Sequence, residues 1–183
     1  NRVTVDDFDL HIFEQTWGST ALGFEGIGGQ AMTTEFTYVF VPVHCNQNCF
    51  VYFGSKFAYA RVKGFQGDDV SRDDKIAACA KHFPGNGQDY RDAHLSNNVN
   101  HFTHDKWMAT YGHVYKTLID GGLDAIMGGH ILMPEYMAEI NPEINADTIM
   151  PGTLCKEIMT DLLRVELGFN GMVVTDASHM VGM

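Results

Sequence analysis

Apolar and polar residues fall in blocks along most of the 183-residue chain, and the length and period of each block predict an element. "FTYVFVPV" (36–43) is rich in β-branched and aromatic residues and reads as a buried strand. "SKFAYARVKGFQG" (55–67) reads as a helix that stops at Gly67, and "KIAACAKHF" (75–83) as a second apolar run broken by Pro84-Gly85. Trp107/Met108, Tyr111, Val114/Tyr115 and Leu118/Ile119 recur at helical spacing, with Gly121-Gly122 as the stop. "LDAIMGG" (123–129) predicts a short buried strand. "TLCKEIMTDLLRVELG" (153–168) predicts a helix capped by Thr153, with Leu154, Ile158, Leu162 and Val165 on its apolar face and Gly168 past its end. "GMVVTD" (171–176) predicts a last strand closing on an acid, while residues 1–34, with "GFEGIGG", are only weakly patterned.

Strand and helix alternate three times before a fourth strand, the pattern of parallel βαβ units and of the α/β class. A complete (β/α)8 TIM barrel needs about 250 residues, so four strands and three helices amount to roughly half of one. The expected organisation is a single domain over 1–183, with βα repeats across 36–183. Either a partial (β/α)8 barrel or an open α/β sheet satisfies it.

In both architectures reactive groups gather at the carboxyl ends of the strands. Three strands here end in polar residues: Lys81-His82, His130 after "MGG", and Asp176. Taken singly, a strand-end Asp is a turn former and a His a satisfied core side chain; three on one face point to a site. Asp176 follows "MVVT" on a rigid strand, where a carboxylate acts as a nucleophile or stabilises an oxocarbenium ion. Asp92-x-His94 lies in the polar, glycine-rich loop of "AKHFPGNGQDYRDAH" (80–94). An aspartate beside an imidazole fixes its tautomer and stabilises its protonated form, so the histidine gives and recovers a proton near neutral pH. A nucleophilic carboxylate and a proton donor on opposite sides of one bond are the minimum for double displacement at a sugar carbon.

Charge narrows the partners. Twelve basic against 23 acidic residues give a net charge of -11, which repels nucleic-acid phosphates and anionic lipid. No apolar run reaches the roughly 18 residues of a membrane span. The opening "NRVTVDDFDLHIFEQ" lacks the order of a signal peptide, and Cys45, Cys49, Cys79 and Cys155 are too few for a disulfide framework. Reduced thiols and a cytoplasmic location are therefore expected. The ten methionines read as core filler, and Asp89 and Arg91 as solvated. His101-x-x-His104 has tolerable ligand spacing and, with His82, His94 and His130, frames an alternative, a metal-dependent barrel hydrolase. The principal reading needs neither metal nor cofactor.

The strings "ARVKGFQG", "AACAKHFPGNGQDYRDAHL", "GGLDAIMGGHI" and "MPGTLCKEIMTDLLRVELGFNGMVVTDASHMVGM" together resemble the N-terminal barrel domain of glycoside hydrolase family 3. The resemblance implies a retaining glycosidase in which Asp176 forms a covalent glycosyl-enzyme and Lys81 and His82 hydrogen-bond hydroxyls of the cleaved sugar. An Asp-x-His after "KHFPG" looks like the β-N-acetylhexosaminidase branch, making His94 the general acid/base and Asp92 its partner. His130 and His179 are the further candidates for lining the substrate's mouth. The implied substrate is a β-N-acetylglucosaminide or a β-glucoside, with β-glucosidase the nearest enzymatic alternative. The non-enzymatic alternative is an inactive partial barrel that serves as a carbohydrate-binding or interaction module. The family also carries a substrate-binding arginine shortly before the "FG" that precedes residue 55, where this chain reads "NQNCFVYFGSKF" without one. A half-barrel leaves sheet edges raw, so self-association through them is expected.

Overall fold

The computed structural model describes residues 33–35, 47–67 and 76–183. In chain order its elements are β1 (Thr33–Glu35), α1 (Gln47–Gln66), β2 (Cys79–Phe83), β3 (Asn98–Val99), α2 (104–120), β4 (Ala125–Gly128), β5 (Ile131–Leu132), α3 (Pro134–Ile140), α4 (Glu157–Glu166) and β6 (Met172–Thr175). Strands β1, β2, β4 and β6 lie side by side in that order, every pair parallel. Parallel neighbours need a crossover, and α1, α2 and α4 supply the three. Strands β3 and β5, two residues each, form a separate parallel pair that no periodicity that short can announce. The expected strand at 36–43 lies outside the described residues; the strand seen in this part of the chain is Thr33–Glu35.

Helix α1 ends at Gln66, and Gly67 takes a left-handed conformation (φ 68°) that a side chain would resist. It begins at Gln47, eight residues before the start read from the sequence, so "FG" falls inside it. The buried Gln66 side chain ties the amino ends of two strands together. Its amide nitrogen donates to Gly122 O (2.7 Å), and its oxygen accepts from the N–H groups of Ala78 (3.2 Å) and Asp124 (3.1 Å). A buried amide with this many partners is satisfied and specifies register.

The core lies between the sheet and the helices: Ala58 and Val62 from α1, Tyr111, Val114 and Leu118 from α2, Phe83 and Ile126 from the strands, and Ile158, Leu162 and Leu163 from α4. Trp107, Phe83 and Tyr115 pack edge-on at 5.0 to 5.8 Å between centroids where Phe83 meets the other two. The apolar stripe predicted for α2 is therefore real, although Met108–Gly112 is π-wound between α-helical His104–Trp107 and His113–Asp120.

Two expectations for the 153–168 segment fail for a geometric reason. Helix α4 is π-wound, so its buried positions recur at wider spacing: Ile158, then Leu162 and Leu163, then Leu167. Val165 (74% exposed) falls off that face, and Leu154 (49%) lies before the helix begins. Thr153 is no helix cap. It sits in a 3-10 turn, Gly152–Leu154, and spends its hydroxyl elsewhere. At the start of α2, Glu139 Oε2 accepts the His104 N–H (2.7 Å), while Thr103, the residue before the helix, makes no side-chain cap bond.

Strands β1 and β6 are the outer strands of the described sheet, and Met172 (63%) and Val174 (39%) are exposed on β6. Among the described residues no helix is long and apolar enough to cross a membrane. Cys79 and Cys155 are free thiols, and burial pushes that of Cys155 up to about 11; Cys45 lies outside the described residues.

Candidate active site

Strands β2, β4 and β6 run parallel, so their carboxyl ends bring Lys81-His82, His130 and Asp176 to one edge of the sheet. The β2–β4 register slips between Ala80 and Phe83, so that Lys81 and His82 together oppose Met127 alone. Bulges of this kind re-aim side chains. His82 Nε2 then stands 3.3 Å from Asp176 Oδ2, both side chains mostly buried (12% and 17% exposed). Gly129 makes the approach possible: a Cβ there would sit 2.9 Å from His82 Cβ.

The Asp176 carboxylate is held from its own chain as well. The Asp176 backbone N–H donates to Gly128 O (2.9 Å), and Oδ1 accepts the Ala177 N–H (2.8 Å). His130 is buried, and both its ring nitrogens are engaged within the protein. Nδ1 lies 2.6 Å from Thr153 Oγ1, and Nε2 lies 3.1 Å from Ala177 O. A carbonyl only accepts, so Nε2 carries the proton and the threonine hydroxyl donates to Nδ1. His179 is exposed on the turn after Asp176, and Lys81 is half-buried on the bulge.

The loop from Pro84 to Asn97 has a pinned root and an open tip. Trp107 Nε1 donates to Pro84 O (2.6 Å), Asn100 Nδ2 to Gly85 O (3.1 Å) and the Tyr111 hydroxyl to Asn86 O (3.0 Å). Gly85 (φ 134°) is packed against the Tyr111 ring: a Cβ on it would lie 2.5 Å from Tyr111 Cδ1. Asp89 is the loop's hub, not a solvated residue: its side chain is 8% exposed and accepts from Arg91 Nε (2.9 Å), Arg91 N (3.0 Å) and Val99 N (3.1 Å). Burial pushes its carboxyl up, but these hydrogen bonds outweigh that and hold it below the ordinary value.

Beyond that hub the chain emerges. Asp92 Oδ1 accepts from His94 N (2.9 Å) and His94 Nδ1 (2.7 Å), with the two side chains 47% and 59% exposed. The backbone N–H of His94, then its ring, pull the Asp92 carboxyl below its ordinary value. A carboxylate can only accept, so Nδ1 is the protonated nitrogen and Nε2 is left to exchange a proton with something else. The structure thus joins Asp92 with His94 and His82 with Asp176. Neither Asp92 nor His94 bonds to Asp176.

His101 and His104 turn to different carboxylates, Glu135 (2.9 Å) and Glu166 (2.8 Å). Among the described residues no group of three or more His, Cys, Asp or Glu side chains is arranged around a metal position. Residues that the sequence reading missed are Thr153, Trp107 and Tyr111. Trp107 and Tyr111 stood out only as parts of an apolar stripe, and their polar tips do the anchoring.

Comparison with known proteins places the chain in a family. Residues 50–183 match the model described as the glycosyl hydrolase family 3 N terminal domain. A β-N-acetylglucosaminidase/β-glucosidase of Cellulomonas fimi is 39% identical over 131 residues, covering 72% of this chain and 23% of that protein. The solved structure of a β-glucoside phosphorylase, BglX, superposes with a TM-score of 0.65 at 41% identity, over 72% of this chain and 23% of that one. That of a family 3 β-N-acetylglucosaminidase from Paenibacillus sp. str. FPU-7 gives 0.59 at 30% identity, over 72% and 22%. The chain spans about a quarter of the length of these relatives.

Proposed function

The chain belongs to glycosyl hydrolase family 3, and from that premise we propose that it carries the catalytic half of a retaining β-N-acetylhexosaminidase acting on terminal β-linked N-acetylhexosamine. Asp176 attacks the anomeric carbon and forms a glycosyl ester while His94 Nε2–H protonates the departing oxygen. Nε2 then takes a proton from water, whose oxygen attacks the same carbon and releases Asp176. Asp92 holds the ring's tautomer and stabilises the imidazolium. Lys81 and His82 hold the hydroxyls of the cleaved sugar, and His179 stands at the rim. The sheet reads as a segment of a (β/α)8 barrel; the parallel order and the exposed outer edge of β6 support this, and a second copy is one way to cover that edge.

One observation carries the reading: a mostly buried strand-end carboxylate, already oriented by Ala177 N–H and facing His82, together with an exposed Asp–His pair on the loop leaving β2, the strand that carries His82. The test is to offer the full protein aryl glycosides of N-acetylglucosamine and glucose, then a fluorinated donor whose glycosyl ester hydrolyses slowly. Faster turnover of the aminosugar and an ester mapped to Asp176 by mass spectrometry are expected. An ester on another carboxylate, or turnover of neither glycoside, overturns the proposal.

A second reading is favoured by the 41% identical phosphorylase. A phosphate anion approaching the glycosyl-enzyme meets a neutral imidazole here, where a carboxylate base would repel it. Phosphate then attacks the anomeric carbon, Asp176 leaves, and the product is a glycosyl phosphate. Adding inorganic phosphate and assaying glycosyl phosphate against free sugar separates phosphorolysis from hydrolysis.

A further inference from the structure

We propose that His130, driven by Thr153, is a positioning residue for the Asp176 carboxylate and makes no contact with the sugar. The proposal rests on the reading of Asp176 as nucleophile. Four hydrogen bonds run in series. Thr153 Oγ1–H donates to His130 Nδ1 (2.6 Å), and His130 Nε2–H donates to Ala177 O (3.1 Å). Ala177 N–H donates to Asp176 Oδ1 (2.8 Å), and Asp176 N–H returns to Gly128 O, two residues before His130 (2.9 Å). The Ala177 carbonyl and N–H lie in successive peptide planes hinged at one Cα, so holding the carbonyl restrains the turn that presents the N–H to the Asp176 carboxylate.

The surroundings leave the imidazole little else to do. Its residue is 4% exposed, and both nitrogens are spent. The turn that presents Thr153 is packed tightly on either side of the histidine: a Cβ on Gly152 would lie 3.2 Å from both Gly129 O and Ile131 O. From the other side, a Cβ on Gly182 would lie 2.8 Å from His130 O. The Ala177 carbonyl also accepts Met180 N–H (3.2 Å), so the ring supplies one of two donors that keep this turn folded over it. A donor preorganised on a nucleophilic carboxylate costs no reorganisation when the reaction starts, and small misplacements of such a group are expensive in rate.

The experiment measures the rate of ester formation on Asp176 with the fluorinated donor, together with kcat and KM for an aryl glycoside, in the full protein. Thr153→Val keeps the shape and removes the hydroxyl. It should slow ester formation and kcat by about tenfold or more with KM nearly unchanged, and Thr153→Ser should restore both to within about twofold. His130→Asn should lose more, about 100-fold. A wild-type rate in Thr153→Val, or a change confined to KM, overturns the positioning role. Should Thr153→Val melt early, Thr153→Ala against Thr153→Ser gives the same contrast. Absence of any ester on Asp176 in the unaltered protein overturns the glycosidase reading itself, which no comparison of variants is needed to see.

Discussion

Asp176 and His94 are asked to act on one bond, yet they are mounted on opposite terms. The carboxylate ends a strand, is 17% exposed and is tied through backbone groups on both β4 and its own turn. The imidazole rides a loop tip at 59% exposure, and its hydrogen bonds run to an aspartate two residues away. The division suits the chemistry. A nucleophile gains from a fixed attack angle, whereas an acid that serves leaving groups of different size and then activates water must adjust and reach solvent. What joins the two regimes is the loop root, where Trp107, Tyr111 and Asn100 hold Pro84, Asn86 and Gly85.

The contrast breaks first at its rigid side. Asp176→Asn should abolish at least about 10³-fold of turnover with an unchanged circular dichroism spectrum, since the amide cannot form the ester. Near-wild-type activity would remove the nucleophile from Asp176. Next comes the exposed side. His94→Ala should cost about 10²- to 10⁴-fold on natural glycosides and far less on aryl glycosides with good leaving groups, which need little protonation. Equal losses on both, in parallel steady-state assays, argue against an acid role.

Trp107→Phe probes the joint. It leaves the buried Pro84 carbonyl without its donor, a cost of about 1–3 kcal/mol that a thermal melt reads as a drop of several degrees. Turnover of natural glycosides should fall more than Asp176 esterification by an activated donor, because the root steers the acid and not the nucleophile. The smallest effect lies farthest from the site. Burial pulls His104 down, but Glu166 and then Asp105 outweigh it and raise its pKa in the folded state. Stability from this pair is therefore complete below the unfolded value near 6.5 and fades as pH rises through the raised folded value. Both side chains are about a third exposed, so the contribution stays under about 1 kcal/mol. Melting of Glu166→Gln and wild type should converge as the pH is raised from 5.5 to 8.5, and a gap that widens instead contradicts the assignment.

The chain's local patterning was enough to locate three of the four sheet strands, the stops at Gly67 and Gly121-Gly122, and a cluster of polar residues at strand ends, because periodicity and glycine conformation act over a few residues. Asp92 and His94 were legible for the same reason: their pairing spans two positions. Other features depended on partners far along the chain. Asp89 looked solvated until Val99, ten residues on, was folded against it; α4 lost Val165 from its buried face to π winding, and Leu154 fell to the 3-10 turn before the helix. Thr153 looked like a cap because Ser and Thr favour that place. Only folding brings it to His130, 23 residues away, and His130 to Ala177, 47 away, so what that threonine and histidine do was decided in three dimensions.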